Sequence, residues 1–289
     1  MKFQLTVLLF ASLASSSIMA GPVSVDGDLK DWIHTPTGNA DDWNRLQRPG
    51  TTLFASEDQS GRASAYLEPG WGGQAYDAEA MYLELDGSTL YIAIVTGVTP
   101  NTREWRPGDI ALDFGNDHTY EYGVVTVGDP VTGTDRWGAG VGVAGQVYKV
   151  DAWNLGLWES PGKISESETP SDYQRQHPTS INSGQVIGDA TLSYRPEGAR
   201  YNGKPHQTLG ALGGSHYLIE AALDLNLFDE FRKGTASKGF TVHWTMGCAN
   251  DWIALDPPVP GRVPEPTSLG LVGLGLVGML GGRRQKRIS

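Results

Sequence analysis

A predicted β-hairpin is the sequence feature that most restricts the fold of this chain. Met81, Leu83 and Leu85 alternate with other residue types, and the apolar run 90–95 follows after the four turn-forming residues 86–89. A period of two places every second side chain on the same face of a strand. An Asp-Gly turn between two such runs is typical of a hairpin. The segment therefore predicts two antiparallel strands, the first half exposed and the second largely buried.

Six further β-forming runs follow the hairpin, separated by turns rich in Gly, Asn, Asp and Pro. They span residues 109–114, 120–127, 146–150, 186–194, 217–225 and 240–246. A short helix is predicted at 226–232 and one helical turn near 41–46, within a region of long loops at 33–74. Many short strands with almost no helix are typical of a sandwich. We therefore expect an all-β fold, with a single β-sandwich domain and long loops.

The first twenty residues have the features of a secretory signal peptide. Lys2 precedes an apolar run at 5–13, and small residues lead to Ala20. The run is too short to span a membrane, so it predicts an export signal that is removed. Cleavage after Ala20 is expected, and cleavage after Ala14 is the alternative. Either cleavage delivers the body of the protein out of the cytoplasm.

The C-terminal segment has three parts in a fixed order. The tripeptide Pro264-Glu265-Pro266 is followed by an uncharged Gly/Leu-rich run at about 267–282, and then by a basic cluster of Arg283, Arg284, Lys286 and Arg287. The uncharged run is near the lower limit for a transmembrane helix, about 17–25 residues. Basic residues stay on the cytoplasmic side. The order predicts a transmembrane helix with the tripeptide on its outer side, a Pro-rich linker at 257–263 before it, and a sandwich domain at 21–256.

These three parts resemble the PEP-CTERM sorting signal of Gram-negative bacteria, with Pro264, Glu265 and Pro266 as its motif. The resemblance implies that the protein crosses the inner membrane, is anchored there transiently, and is cut near the motif by a membrane-embedded exosortase. It also implies delivery of the body to the cell surface or the extracellular matrix. A permanent tail anchor is the alternative that the same residues leave open.

The start of the body resembles family 9 carbohydrate-binding modules. The matching residues are Asp26, Gly27, Leu29, Asp31 and Trp32, in a segment that we expect to begin with a short strand and to open the first sheet. The blocks 76–82, 108–114 and 243–251 resemble a recurrent body type among PEP-CTERM proteins. Both resemblances imply a sandwich of the jelly-roll kind, and the first adds carbohydrate binding as an alternative function.

Net charge restricts the classes of partner that the chain can bind, and cysteine content restricts how the chain can be stabilised. The formal charge is −11, and five of the 22 basic residues lie in the two end segments, so the body is more acidic still. An acidic surface opposes binding to nucleic acid and favours divalent cations. Cys248 is the single cysteine, so the chain has no internal disulfide and depends on its core for stability. We expect Cys248 to be a buried, small apolar residue.

Tryptophans near Gly-rich loops are the candidate glycan-binding residues, namely Trp71, Trp137, Trp153 and Trp158. Apolar C–H faces of sugars stack on exposed aromatic rings, while neighbouring polar groups bind the hydroxyls. Packing in the core is the alternative role for the same four side chains. For Trp32, Trp244 and Trp252, we expect core packing.

One acidic loop is the candidate cation site, with Asp113, Asn116 and Asp117 as its oxygen ligands. Calcium takes six to eight oxygens, but the spacing differs from that of an EF-hand loop. Asp and Asn are also ordinary turn residues. The histidines are scattered without the spacing of a zinc site. We therefore expect no cofactor, with a structural calcium ion at this loop as the open alternative.

The chain is not predicted to be an enzyme. The run at 213–217 lacks the second glycine of a nucleophile elbow, and the sequence has no phosphate loop or dinucleotide-binding motif. The predicted function is a structural or adhesive role of an exported protein in exopolysaccharide or a biofilm. A carbohydrate-binding module is the first alternative, and a glycan hydrolase is the second. The expected partners are an exosortase and polysaccharide.

Overall fold

The computed structural model describes residues 23–57, 70–102, 105–128, 141–159, 177–205, 215–234 and 239–257. The predicted signal peptide at 1–20, the sorting segment at 264–289 and all of the linker except Pro257 lie outside these ranges. Within them, no helix has both the length and the apolar character needed to cross a membrane.

The described part of the chain contains thirteen strands. In chain order they are β1 (Leu53–Ser56), β2 (Ala78–Asp86), β3 (Thr89–Thr96), β4 (Ile110–Asp113), β5 (Tyr122–Val124), β6 (Gln146–Asn154), β7 (Ser180–Asp189), β8 (Thr191–Tyr194), β9 (Arg200–Tyr201), β10 (Lys204–Pro205), β11 (Tyr217–Asp224), β12 (Thr241–Thr245) and β13 (Trp252–Leu255). The one α-helical turn that the described ranges contain is α1 (Asp229–Arg232), and short 3-10 helices lie at Leu29–Asp31, Ala40–Asn44, Gly73–Tyr76, Gly156–Glu159 and Leu225–Leu227.

Two antiparallel sheets form the body. The five-stranded sheet has the order β1-β2-β3-β11-β8, and the six-stranded sheet has the order β13-β12-β4-β5-β6-β7. A separate ribbon pairs β9 with β10. The predicted hairpin is confirmed, because Leu85 pairs with Leu90 in the register of β2 and β3. The expectation that its first strand is half exposed is wrong, because residues 78–83 of β2 are all buried and the N-terminal segment packs on the outer face of the strand.

The inner faces of the two sheets share one hydrophobic core. Alternation places Met81 and Leu83 of β2 on the inner face of the five-stranded sheet, and it places Val242 and Trp244 of β12 on the inner face of the six-stranded sheet. All four side chains are buried in the same cluster. Burial of apolar area at such an interface is the main stabilising contribution. The fold is therefore a β-sandwich, as the strand pattern predicts.

Other layers cover the outer faces of the sheets. Residues 23–46 lie across the five-stranded sheet, where Trp32 and Trp43 are buried against Tyr82 and Val95. The Tyr82 hydroxyl donates to the Trp43 carbonyl oxygen at 2.9 Å, which fixes this segment to β2. A smaller cluster on the six-stranded sheet contains Val125, Tyr148 and Ile181, with Trp153 packed on it.

The prediction of a strand at the start of the body is wrong. Residues 23–25 have no regular structure, Asp28 makes one isolated bridge to Arg200, and a 3-10 helix follows at Leu29–Asp31. The physical reason is Asp28, because its carboxylate accepts the backbone N–H of Lys30 and caps the helix. The segment therefore covers a sheet instead of opening one.

The structure also contains four strands that the sequence pattern did not predict, namely β1, β9, β10 and β13. None has more than four residues, which is too few to show a clear alternation. The expectation of a buried Trp252 is wrong for a related reason. Alternation along β13 turns Ile253 toward the core, so Trp252 faces outward with 43% of its surface exposed. Trp32 and Trp244 are buried as expected.

Candidate functional site

Trp71 is one of the most exposed aromatic residues in the described part of the chain, with 42% of its surface accessible. It lies in the turn at 70–73, where Gly72 has a φ of 98° that a side chain would strain. The Trp71 carbonyl oxygen accepts a hydrogen bond of 2.7 Å from the Asn250 side-chain amide. This bond fixes the turn to the loop between β12 and β13, so the exposed indole is carried on an ordered backbone.

A cleft of about 350 Å³ lies beside the helix that follows Trp71. Its lining includes Gln74, Tyr76, Thr99, Thr102, Ser215 and Tyr217. The 3-10 helix Gly73–Tyr76 supplies two of these side chains and connects the cleft to the Trp71 turn. Hydroxyl, amide and phenol groups around an open cleft can donate and accept hydrogen bonds in several directions.

The other three predicted tryptophans do not join Trp71 in one site. Trp153 is half-buried, donates its indole N–H to the Tyr120 carbonyl oxygen at 2.8 Å and packs on the outer face of the six-stranded sheet. Gly123 makes room for this ring, since a Cβ there would lie 2.5 Å from it. Trp158 belongs to the 3-10 helix Gly156–Glu159. Trp137 lies outside the described residues.

The predicted acidic loop brings two of its three residues together. Asp113 and Asp117 place a carboxylate oxygen within 4.8 Å of each other and of Glu121, a residue that the sequence reasoning missed. Asn116 instead accepts a hydrogen bond from the Thr241 hydroxyl at 3.1 Å. Asp113 is buried, and one of its oxygens accepts the His118 N–H at 2.7 Å. Burial raises the pKa of Asp113 above its usual range.

A second group of acidic residues, the carboxylate cluster, consists of Glu57, Asp77 and Asp251. Each residue contributes a carboxylate oxygen, and these oxygens all lie within 4.8 Å of one another. Asp77 and Asp251 are fully buried. Burial, followed by the nearby Glu79 charge, raises the pKa of Asp77, and burial also raises the pKa of Asp251. The cluster is assembled by the fold from distant segments, so no sequence motif could have indicated it.

A polar network borders the carboxylate cluster. Glu79 is buried at a β-bulge between Ala78 and Ala80, and a bulge redirects the side chain of its extra residue. One Glu79 oxygen accepts hydrogen bonds from Gln74 and lies 3.1 Å from the His216 Nε2 atom. The imidazole of His216, which follows Ser215 in the run at 213–217, therefore lies next to the Glu79 carboxylate.

Cys248 lies in the core and has 4% of its surface exposed. Burial raises the pKa of its thiol to about 12. The thiol donates a hydrogen bond to the Asn250 side-chain oxygen. A protonated, buried thiol is unreactive, so Cys248 packs as the small apolar residue that the sequence predicts.

Comparisons with known proteins give a match at the C-terminal end of the chain. A search of curated proteins returned no match. Residues 262–286 match the PEP-CTERM protein-sorting motif. The match covers Pro264, Glu265 and Pro266 together with the basic residues to Lys286. The C-terminal segment therefore carries a PEP-CTERM protein-sorting motif, which implies export of the chain and processing by an exosortase at a transient C-terminal anchor.

Proposed function

We propose that the body has a structural or adhesive role in the polysaccharide or biofilm outside the cell, and that it is not an enzyme. The observation that carries this proposal is the PEP-CTERM motif at residues 262–286, because surface delivery places the body next to that polysaccharide. A sandwich with two well-packed sheets and an acidic composition supports a passive role, since it is suited to remain folded and soluble outside the cell.

Carbohydrate binding is a second candidate function, and the geometry around Trp71 favours it. An exposed indole on an ordered turn offers a flat apolar face on which a sugar ring can stack. The cleft beside the following helix adds the Thr99 hydroxyl and the phenols of Tyr76 and Tyr217. A few polar groups beside an aromatic surface are the usual composition of a small-molecule site.

The carbohydrate candidate can be tested with two tryptophans of nearly equal exposure. Trp71 is 42% exposed on the turn that leads into the cleft-lining helix, and Trp252 is 43% exposed on the six-stranded sheet, so Trp252→Ala is a matched control for Trp71→Ala. The full-length protein, purified in mild detergent, would be titrated with exopolysaccharide from the host and with a panel of soluble glycans. Retention and tryptophan fluorescence are the measurements.

The expected result is that Trp71→Ala weakens binding about tenfold or more, which corresponds to about 1.4 kcal/mol. Trp252→Ala should bind like the wild type. Equal loss in both variants, or no binding by the wild type to any glycan, would remove carbohydrate recognition as a function. Release of new reducing ends from a glycan would contradict the non-enzymatic role and favour a hydrolase.

The structural or adhesive role needs a separate test in the host. A strain lacking the gene should attach less to surfaces and form a weaker matrix, and the wild-type gene should restore both properties. Unchanged attachment and matrix stiffness in the deletion strain would contradict this role even if glycan binding were observed.

A further inference from the structure

The carboxylate cluster lies where the edges of the two sheets meet. Glu57 follows β1, which is the edge strand of the five-stranded sheet, and Asp77 precedes its neighbour β2. Asp251 precedes β13, which is the edge strand of the six-stranded sheet. A hydrogen bond of 2.7 Å from the Ala78 N–H to an Asp251 oxygen crosses between the sheets at this point. The cluster therefore contains ligands from both halves of the sandwich.

Asp77 and Asp251 leave carboxylate oxygens without protein donors. Asp77 has 0% of its surface exposed, and neither of its oxygens accepts a hydrogen bond from an N–H or O–H group. One Asp251 oxygen is likewise buried and accepts no hydrogen bond from an N–H or O–H group. Across the described ranges, no lysine or arginine forms an ion pair with either residue. Buried carboxylates are normally paired, hydrogen-bonded or bound to a metal, so these oxygens need either a proton shared between Asp77 and Asp251 or a bound cation.

Glu79 adds to the negative charge at this place. It is fully buried, and its second carboxylate oxygen has no hydrogen-bond partner, while the first is held by Gln74 and His216. Glu79 lies near enough to both Asp77 and Asp251 for its charge to act on them. Glu79 thus adds a further buried carboxylate near Asp77 and Asp251, and a single proton shared between these two aspartates would neutralise only one of their two charges.

We propose that Glu57, Asp77 and Asp251 bind one calcium ion, which links the two sheets at their edges. The donor set consists of oxygen atoms, which suits hard cations such as calcium and magnesium and not zinc or copper. Calcium accepts three carboxylates, some of them bidentate, in a flexible shell of six to eight oxygens. Magnesium retains several of its waters and uses one or two carboxylates, so a buried site with three carboxylates favours calcium.

This inference is independent of the proposed function. A cation between β1, β2 and β13 stabilises the folded state because the unfolded chain does not hold the three carboxylates together. It would make the stability of the exported body depend on calcium outside the cell, whatever the body binds there.

Thermal unfolding of the full-length protein in mild detergent at pH 7.5 tests the site. The protein would be stripped with chelator and then melted with and without added calcium or magnesium. At calcium concentrations about a hundredfold above Kd, the Tm is expected to rise by about 5–10 °C. Magnesium at the same concentration should produce a smaller rise.

Isosteric variants separate the role of the site from general damage to the fold. Asp77→Asn and Asp251→Asn should lose most of the calcium-dependent rise in Tm. In chelator, the same variants should be at least as stable as the wild type, because each removes one buried charge. Asp189→Asn is the matched control, since Asp189 is an exposed carboxylate at the end of β7 and should leave the calcium response unchanged.

Two outcomes would overturn the proposal. The first is a wild-type Tm that calcium does not change, which would mean that a proton is sufficient to hold the cluster. The second is a calcium response that survives in Asp77→Asn and Asp251→Asn. If Asp113→Asn then abolishes that response, the ion lies in the loop of Asp113 and Asp117.

Discussion

The indole N–H of Trp32 donates a hydrogen bond of 2.8 Å to a carboxylate oxygen of Glu220, although the two residues are 188 positions apart. The other Glu220 oxygen accepts the backbone N–H groups of Asp26 and Gly27, at 2.9 and 2.5 Å. Glu220 is buried on β11. It therefore fastens the N-terminal segment to the outer face of the five-stranded sheet.

Glu220→Gln should destabilise the protein, because an amide nitrogen would then face an N–H donor on one side of the side chain. A buried donor without an acceptor costs about 1–3 kcal/mol. Chemical denaturation followed by tryptophan fluorescence measures the loss. Glu197→Gln, at an exposed position, is the control and should change the free energy of unfolding by less than about 0.5 kcal/mol. Similar losses in both variants would show that Glu220 does not anchor the segment.

Gly123→Ala should reduce stability because its Cβ would meet the Trp153 ring at 2.5 Å. Overpacking of this kind costs about 1–3 kcal/mol. The smaller side chain in Trp153→Leu should relieve most of this cost, so the double variant should show strong coupling between the two positions. Additive losses in the double-mutant cycle would mean that Trp153 does not pack on Gly123.

Acid should destabilise the protein partly through two buried histidines. His243 is 1% exposed, neither of its ring nitrogens has a hydrogen-bond partner, and its ring lies near those of Tyr120, His177 and Trp252. Burial lowers the pKa of His177 to about 4 and the pKa of His243 well below its usual value of 6.5. The unfolded chain therefore binds more protons than the folded chain below about pH 6.5.

The sign of this effect is a loss of stability as the pH falls. Each histidine contributes up to about 1.4 kcal/mol per pH unit between about pH 6.5 and its folded pKa. The free energy of unfolding of His243→Phe, measured by denaturation at each pH, should therefore rise relative to that of the wild type as the pH is lowered from 7 to 5. His34→Phe, at an exposed position, should show no such trend. If the wild type and His243→Phe differ in free energy of unfolding by the same amount at every pH, the buried histidine does not cause the acid sensitivity.

Cys248 should be protected from thiol reagents in the native protein. Its thiol is buried, and burial raises its pKa to about 12, so almost no thiolate forms at pH 8. Reaction with a colorimetric disulfide reagent should be slow in buffer and complete in denaturant. Fast, stoichiometric labelling of the native protein would contradict the buried position.

The sequence predicted those parts of the fold that are formed by residues close together in the chain. The β2–β3 hairpin has alternation on both sides of an Asp-Gly turn, and Asp113 and Asp117 are brought together by one loop, so both were predictable. Trp252 was misjudged because β13 is too short to show which of its residues faces the core. The carboxylate cluster depends on the approach of two sheet edges, which has no sequence signature.

The most direct test of the account is the intact mass of the protein from surface and membrane fractions of two host strains, one with its exosortase and one without it. We expect a product that ends near Pro264–Pro266 at the surface of the first strain, and in the second strain an uncut protein in the membrane that keeps Arg283–Ser289. A protein that retains Arg283–Ser289 in both strains would be a permanent membrane protein, and the proposed matrix role would be contradicted.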